Sequence, residues 1–447
     1  MPFHETGHDA ITVHVRFAVL ACTLAASPAW AGDTPRPIVA FRVEGDTKLT
    51  EETLWLLMRV ERGTPVTAAQ ISELEKNVFS SELFKSVKIR FEDAADGVIV
   101  IATLVDKHSW IVMPTAYLLS SNWAVGAGFA ENNLFGENKK LLLYAQLGEL
   151  NNYFVGAYVI PSFRGSRLSL QFDTFLQSRQ ENEFANPSDD PASTELARQS
   201  NHLFLNAGVA AGWIHRWWLR SQFRVRAAYV RYDDSIDPNT GAALPNPSPD
   251  GWDVTWQASL KADARTFDRG ISAGPYAELA SEVWIPGLSS YTYAGLRARA
   301  FYAHRLFARH ELQVRLYGNL GWRLPFHDEW TLGAASDLRG YANEQFRGDV
   351  RALARAEYSV EVGRYRWFTF RALGFVDSGW IGFRFEDTTQ RHFLPGQSNA
   401  SFFRNDVGGG FRVYVNNIVL PLVGIDVGYG LESRTPNVYL QLGLTDL

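Results

Sequence analysis

From residue 109 to residue 447 the sequence loses any helical period and alternates, and that alternation limits the possible folds more than any other feature. In RLSLQFDTF, Leu168, Leu170 and Phe172 interleave with Arg167, Ser169, Gln171 and Asp173. FRVRA sets Phe223 and Val225 against Arg224 and Arg226, and LRARA and LQVRLY repeat the pattern with Arg297, Arg299 and Arg315. A two-residue period sends successive side chains to opposite faces of a strand, so one face is apolar and the other wet. Sixteen such segments start near residues 110, 123, 138, 153, 166, 200, 217, 251, 273, 291, 311, 351, 368, 406, 418 and 437.

Connection lengths follow a parity. The long connections fall near 177–200, 233–250, 325–350 and 383–405, each after an odd-numbered strand. GEN, RGS, FDRG and VNN, all short, follow even-numbered ones. Long loops at one end and tight turns at the other are the outer-membrane barrel pattern. Aromatic residues make up 13% of the chain, more than the Lys- and Glu-rich outer face of a soluble sandwich would carry. A propeller would repeat every ~40–50 residues, and no such repeat is visible. The expected fold is mainly β: a 16-stranded antiparallel transmembrane β-barrel spanning 109–447, preceded by one small α+β domain. A closed barrel of this size leaves an aqueous lumen.

The N-terminus reads as an export signal over residues 1–31. Arg16 precedes the apolar run FAVLACTLAA, and Ala29-Trp30-Ala31 supplies small residues for cleavage after Ala31. Cys22, the sole cysteine, lies inside that leader, so the mature chain is expected to hold no disulfide, thiolate nucleophile or Cys-based zinc site. Residues 38–107 have a different texture. IVAFRVEG reads as a strand; Thr50 as the cap of a helix with Leu54, Leu57 and Met58 on one face; Thr67 to Gln70 as a capping box before Ile71, Leu74 and Val78. SVKIRFED and DGVIVIATLV then flank the turn signal Asp96-Gly97. The order β-α-α-β-β is a compact α+β unit.

Other chemistry is sparse. The histidines show no metal-ligand spacing, so neither metal nor cofactor is expected. Gly270 to Gly274 fits the G-x-S-x-G hydrolase expression around Ser272. Such a nucleophile needs a helix after it, and Pro275 follows instead, so a turn is expected and the chain is read as no enzyme. A net charge of −5 without a basic run argues against a nucleic-acid partner.

One loop stands out. Residues 337–349 read DLRGYANEQFRGD, two Arg-Gly steps between strands eleven and twelve. Strand twelve sets Arg355, Glu357, Ser359 and Glu361 on its lumen face; strand thirteen sets Asp377 on the face of Arg371. An arginine folded inward on this loop would meet carboxylates on both strands and engage them by charge-assisted, forked hydrogen bonds. The second step, Arg347-Gly348-Asp349, is an adhesion-type tripeptide that recurs by chance.

These features together resemble the BamA/TamA-type outer-membrane assembly and translocation family. LRGY (Leu338 to Tyr341) resembles that family's (V/L)RG(F/Y) loop tip, and Phe375-Val376-Asp377-Ser378-Gly379 its F-x-D-x-G strand. GGGFRV, with Gly408 and Gly410, resembles its strand fourteen, and GAGFAENNLFGEN its early barrel signature. The α+β unit resembles a POTRA domain, with Phe84 and Val87 as the F-x-x-V entry to its second strand. The resemblance implies that Arg339, Gly340 and Tyr341 anchor the loop in the lumen on Glu357 and Asp377. It also implies that the strand from Ser86 to Phe91, with Val87, Lys88 and Ile89, is a free sheet edge in the periplasm. Unfolded outer-membrane or secreted polypeptides would be its clients, outer-membrane lipid its surroundings, and the seam between strand one (Trp110 to Ser120) and the last strand (Asn437 to Leu447) a templating edge. The alternative is a non-catalytic anchor or plugged pore, whose small domain docks a periplasmic partner or a second copy as a homodimer. One POTRA-like unit and a terminal Leu447 in place of an aromatic point to an unusual branch.

Overall fold

The computed structural model describes residues 34–79, 81, 83–106, 109–119, 122–185, 193–268, 271–307, 309–333, 337–366, 368–385, 387–394, 403–415 and 421–442. The expected leader with Cys22, and the C-terminal Leu447, lie outside them.

The N-terminal unit contains β1 (Arg36–Asp46), α1 (Glu51–Met58), β2 (Pro65–Val66), α2 (Ile71–Phe79), β3 (Phe84–Ala94) and β4 (Gly97–Asp106). Its sheet runs β2-β1-β4-β3, with β1 parallel to β4 and β3 antiparallel to it. The apolar stripes read from sequence become the core: Leu54, Met58, Leu74 and Val78 pack with Phe84, Val100 and Leu104, all buried. Two details differ from the sequence reading. Pro65 and Val66 add a short antiparallel strand to β1, too brief to show any alternation. Thr50 occupies the N-cap without a side-chain cap bond; the Thr53 hydroxyl donates instead to the Thr50 carbonyl at 3.0 Å. The capping box at Thr67 and Gln70 is formed, on a single 3-10 turn leading into α2.

Sixteen antiparallel strands then close into a barrel in sequence order. Strands one to four are Trp110–Leu119, Asn122–Leu134, Lys139–Gly148 and Asn151–Ile160. Strands five to eight are Leu168–Phe184, Leu196–Arg216, Leu219–Ile236 and Gly251–Asp263, the last continued by Thr266–Asp268. Strands nine to twelve are Ile271–Trp284, Ala294–Leu306, His310–Trp322 and Val350–Tyr365. Strands thirteen to sixteen are Phe368–Gly382, Phe403–Val415, Pro421–Gly430 and Pro436–Leu442. Strand sixteen pairs with strand one through Leu440↔Leu118, Gln441↔Tyr117 and Leu442↔Ala116.

Strands five to seven run farther than their alternation suggests. The connection expected at 177–200 shrinks to 185–195, because QSRQENEF continues strand five although it is polar on both faces. Past the lipid a hairpin needs no apolar face, and cross-strand pairs such as Gln199↔Asn182 hold it. Within the wall, outward residues such as Val209, Phe223, Leu279, Leu316, Val376 and Val427 are large, apolar and exposed. A ring of such surface suits hydrocarbon, where closure also leaves no strand edge unpaired. Among the described residues several inward arginines are paired with carboxylates: Arg224 with Asp173, Arg299 with Glu278 at 2.6 Å, Arg371 with Glu311 at 3.3 Å, and Arg412 with Asp426 at 2.6 Å.

Leu316 lies midway along strand eleven on the outward face. Leu316→Arg should therefore cost about 2–4 kcal/mol of barrel stability in lipid vesicles, read by denaturant titration of heat-modifiable gel mobility. Unchanged stability would place that face in water.

Candidate functional site: a loop tip inside the barrel

The connection between strands eleven and twelve folds inward on a small hairpin, Trp330–Leu332 paired with Phe346–Gly348. Leu338 and Tyr341 are buried beside Leu332, Phe346, Leu353 and Ile381, so the apolar members of LRGY hold the tip against the wall. Gly379 makes room for this. A Cβ there would lie 2.9 Å from Leu332 and 3.1 Å from Leu338.

Between these two apolar residues Arg339 points at strands twelve and thirteen. Its Nε and Nη2 donate to the two carboxylate oxygens of Asp377 at 2.8 and 3.0 Å, and Nη1 donates to Glu357 at 2.9 Å. The guanidinium carbon stacks 3.3 Å from the centre of the Phe375 ring. Forked, charge-assisted bonds combined with cation–π stacking fix a planar group in position and angle, which a lysine could not reproduce. Arg355 Nε also donates to Asp377, at 3.2 Å, so one carboxylate serves two guanidinium groups. Asp377 is fully buried and Arg339 is 1% exposed.

Gly340 brings the tip within backbone contact of strand fifteen. A Cβ at 340 would sit 2.5 Å from the Gly430 nitrogen, and its own N–H donates to Asp406 at 2.9 Å. Gly408 and Gly410 are small for a related reason: a Cβ would meet Phe375 at 2.3 Å and the Asp426 carboxylate at 1.9 Å, respectively. The Tyr341 hydroxyl contacts Glu432, whose carboxylate also accepts the Asn405 N–H at 2.8 Å. Burial opposes ionisation of Glu432, but the Asn405 N–H and the Tyr341 hydroxyl outweigh it and hold its carboxyl below the usual range.

Sequence reasoning named Arg339, Gly340, Tyr341, Glu357, Asp377, Phe375, Gly379, Gly408 and Gly410, and the structure brings all nine together. It missed Asp406 and Asp426, although both share lumen parity with Gly408 and with Gly424 and Gly428. Asn437, Tyr439 and Glu432 carried no sequence signal. Val87, Lys88 and Ile89 lie elsewhere, on β3 at the end of the small sheet. Lys88 is exposed and Ile89 faces the core. One feature of this edge is not legible from the pattern: the Ile89 N–H donates to the Glu75 carboxylate of α2 at 2.9 Å.

The second Arg-Gly step has a different fate from an adhesion tripeptide. Arg347 is 8% exposed, stacks 4.0 Å over Phe326 and pairs with Glu181 at 2.8 Å. The buried Asp349 carboxylate accepts the Arg384 N–H at 2.7 Å. With Arg391–Glu329 at 2.6 Å and Arg198–Glu183 at 2.6 Å, it belongs to a network joining strands five and six to the loops at 323–349 and 383–394. Asp253, His327 and Asp328 approach one another, but the Arg226 guanidinium already lies among their carboxylates, supplying the positive charge a cation would bring. Ser272 lies in strand nine, paired with Phe267, and not in the expected turn; strand follows it where a hydrolase nucleophile elbow needs a helix.

Removing Arg339 would strand buried acids, a change that costs about 3–5 kcal/mol for a buried pair. Arg355 stays on Asp377, so Arg339→Ala should fall at or below the lower end of that range, and Arg339→Lys should recover part of the loss. Urea unfolding in vesicles would check this; equal stability of all three proteins would mean that the tip carries no structural energy.

Comparison with known proteins supports the architecture. Residues 133–444 match the family model described as the Omp85 superfamily domain. No curated protein sequence matches. Among solved structures, BamA from Haemophilus ducreyi lacking POTRA domains 1-3 is similar, with a TM-score of 0.58 at 13% identity, covering 90% of this chain and 84% of that one. CdiB from Acinetobacter baumannii gives 0.60 at 14% identity, over 91% of this chain and 74% of that one. CdiB from Escherichia coli gives 0.62 at 12% identity, over 90% and 76%. With the family model covering most of its length, the chain belongs to the Omp85 superfamily and is a β-barrel protein of the outer membrane.

Proposed function

We propose that this protein inserts or translocates polypeptides at the outer membrane, with the small domain acting as a POTRA-type receptor in the periplasm. An extended client segment pairs with β3 around Val87, Lys88 and Ile89, gaining main-chain hydrogen bonds along the edge. It is then handed to the seam, where strand one or strand sixteen templates an incoming strand. Opening a seam in lipid exposes unpaired backbone, which is costly, so the open edge is driven to pair with whatever strand arrives.

The observation that carries this reading is the place of β3 at the end of the sheet β2-β1-β4-β3, where, among the described residues, one side of the strand faces no other strand. The seam through which a strand would enter joins strand sixteen to strand one at Leu440↔Leu118, Gln441↔Tyr117 and Leu442↔Ala116. Family membership supports the same activity. Glu75 adds a condition: a client pairing beside Ile89 must displace a carboxylate from that amide.

A second reading, a non-catalytic anchor that docks a periplasmic partner or a second copy, has one observation in its favour. The small domain is itself tied to the barrel's short turns: Trp55 Nε1 donates to the Gly165 carbonyl at 3.2 Å, Glu61 pairs with Arg167, and Arg59 stacks 4.7 Å over Trp217. Photo-crosslinkers at Lys88 and along strand one separate the two. Transport activity predicts many unfolded outer-membrane or secreted clients, and an anchor predicts one folded, stoichiometric partner. Glu75→Ala should raise crosslinking at Lys88 severalfold under the first reading. No change in client yield would remove edge pairing from the mechanism.

A further inference from the structure

We infer that Asn437 and Tyr439 latch the loop tip to the last strand, so that the tip's seating controls how firmly the seam is closed. The inference rests on the proposed role of the seam and adds the device that governs it. The Tyr439 hydroxyl donates to the Tyr341 carbonyl at 2.6 Å, and Asn437 Nδ2 donates to the Gly340 carbonyl at 2.8 Å. The two residues are two apart on strand sixteen, so both point into the lumen. Tyr439 is 3% exposed. Two consecutive carbonyls of an inward-folded tip need donors away from bulk water, and strand sixteen supplies both.

The opposing residues explain how the tip reaches so far. Asn437 lies across from Gly428 on strand fifteen, and Tyr439 across from Asp426. A Cβ at Gly428 would sit 2.3 Å from the Arg339 carbonyl oxygen, and one at Gly430 would sit 2.8 Å from the Gly340 carbonyl oxygen. Strand fifteen is thus a bare floor on which the tip lies, close enough for the side chains of the next strand to grip it. On the other side of the tip, Arg339 is fixed to strands twelve and thirteen. One short peptide therefore spans from the firmly paired wall to the strand at the seam. While it is seated, strand sixteen is held from inside as well as by its neighbours; when it withdraws, the two inward bonds of Asn437 and Tyr439 are lost and the sheet pairing remains. Asn437 and Tyr439 are positioning residues in this scheme.

The test is hydrogen–deuterium exchange, read by mass spectrometry on the full chain in lipid vesicles. Asn437→Ala with Tyr439→Phe should speed exchange in strands one and sixteen about tenfold, the effect of losing two hydrogen bonds of ordinary net strength. Strands three and four, two and three places along the wall from strand one, should not change. Arg339→Lys in the parent should also speed exchange at the seam, but should add little in the doubly substituted protein, because the tip no longer reports to strand sixteen. A seam unaffected by the double substitution, acceleration spread over every strand, or an Arg339→Lys effect that is fully additive would each overturn the latch. Should the double variant fail to reach the heat-modifiable folded form, Tyr439→Phe alone removes one hydroxyl and gives the same readout at smaller amplitude. Crosslinking of clients to strand one is measured separately. A latch that behaves as stated in a protein that captures no client would sink the transport reading and leave the latch standing, and the reverse result would sink only the latch.

Discussion

A single guanidinium, held between Asp377 and Glu357 with Phe375 beneath it, is the contact on which the interior of this barrel depends. A barrel of sixteen strands is too wide for its own side chains to fill. The protein meets that problem by folding a surface loop inward, and such a loop carries polar backbone that must find partners away from bulk solvent. The arginine fixes the tip by direction as well as by charge. Once it is fixed, the neighbouring groups follow: the Gly340 N–H reaches Asp406, the Tyr341 hydroxyl reaches Glu432, and two carbonyls reach strand sixteen. The glycines of strands fourteen and fifteen keep the surrounding floor flat enough for that approach.

The wall and the small domain divide the proposed work. The wall is long and continuously paired between strands five and six, and it closes where strand sixteen meets strand one. The small domain keeps β3 at the end of its sheet but covers one of its amides with Glu75. Edge strands invite unwanted pairing. A carboxylate on an edge amide discourages casual partners and yields to a strand that offers several hydrogen bonds at once. The Arg347 network at the loop-bearing end adds a separate set of charged clamps, so the loops are tied to the barrel at two levels.

Much of this was legible in the amino-acid sequence, and the reasons differ between parts. Strand number and parity could be read because lipid on one side and water on the other impose a strict two-residue code on residues such as Phe223, Arg224, Val225 and Arg226. Arg339, Glu357 and Asp377 could be read because they sit in short motifs whose parity put the acids on the lumen face. The code fails where lipid ends: QSRQENEF looks like a loop yet extends strand five, since nothing there requires an apolar face. It is also silent about reach. Asn437 and Tyr439 look like any inward polar residues on a strand, and only the folded loop shows what they hold. Glu75 was invisible for the same reason, being one of two acids on an amphipathic helix until the sheet is placed beside it.

The most direct measurement is a double-mutant cycle across the anchor, with Arg339→Ala, Asp377→Asn and the double variant unfolded by denaturant in lipid vesicles. If the guanidinium and the carboxylate meet in the lumen, the double variant will lose much less than the sum of the single losses, with a coupling of about 0.5–3 kcal/mol. Additive losses would mean that the two groups do not touch in the folded protein, and the loop tip would then be anchored elsewhere.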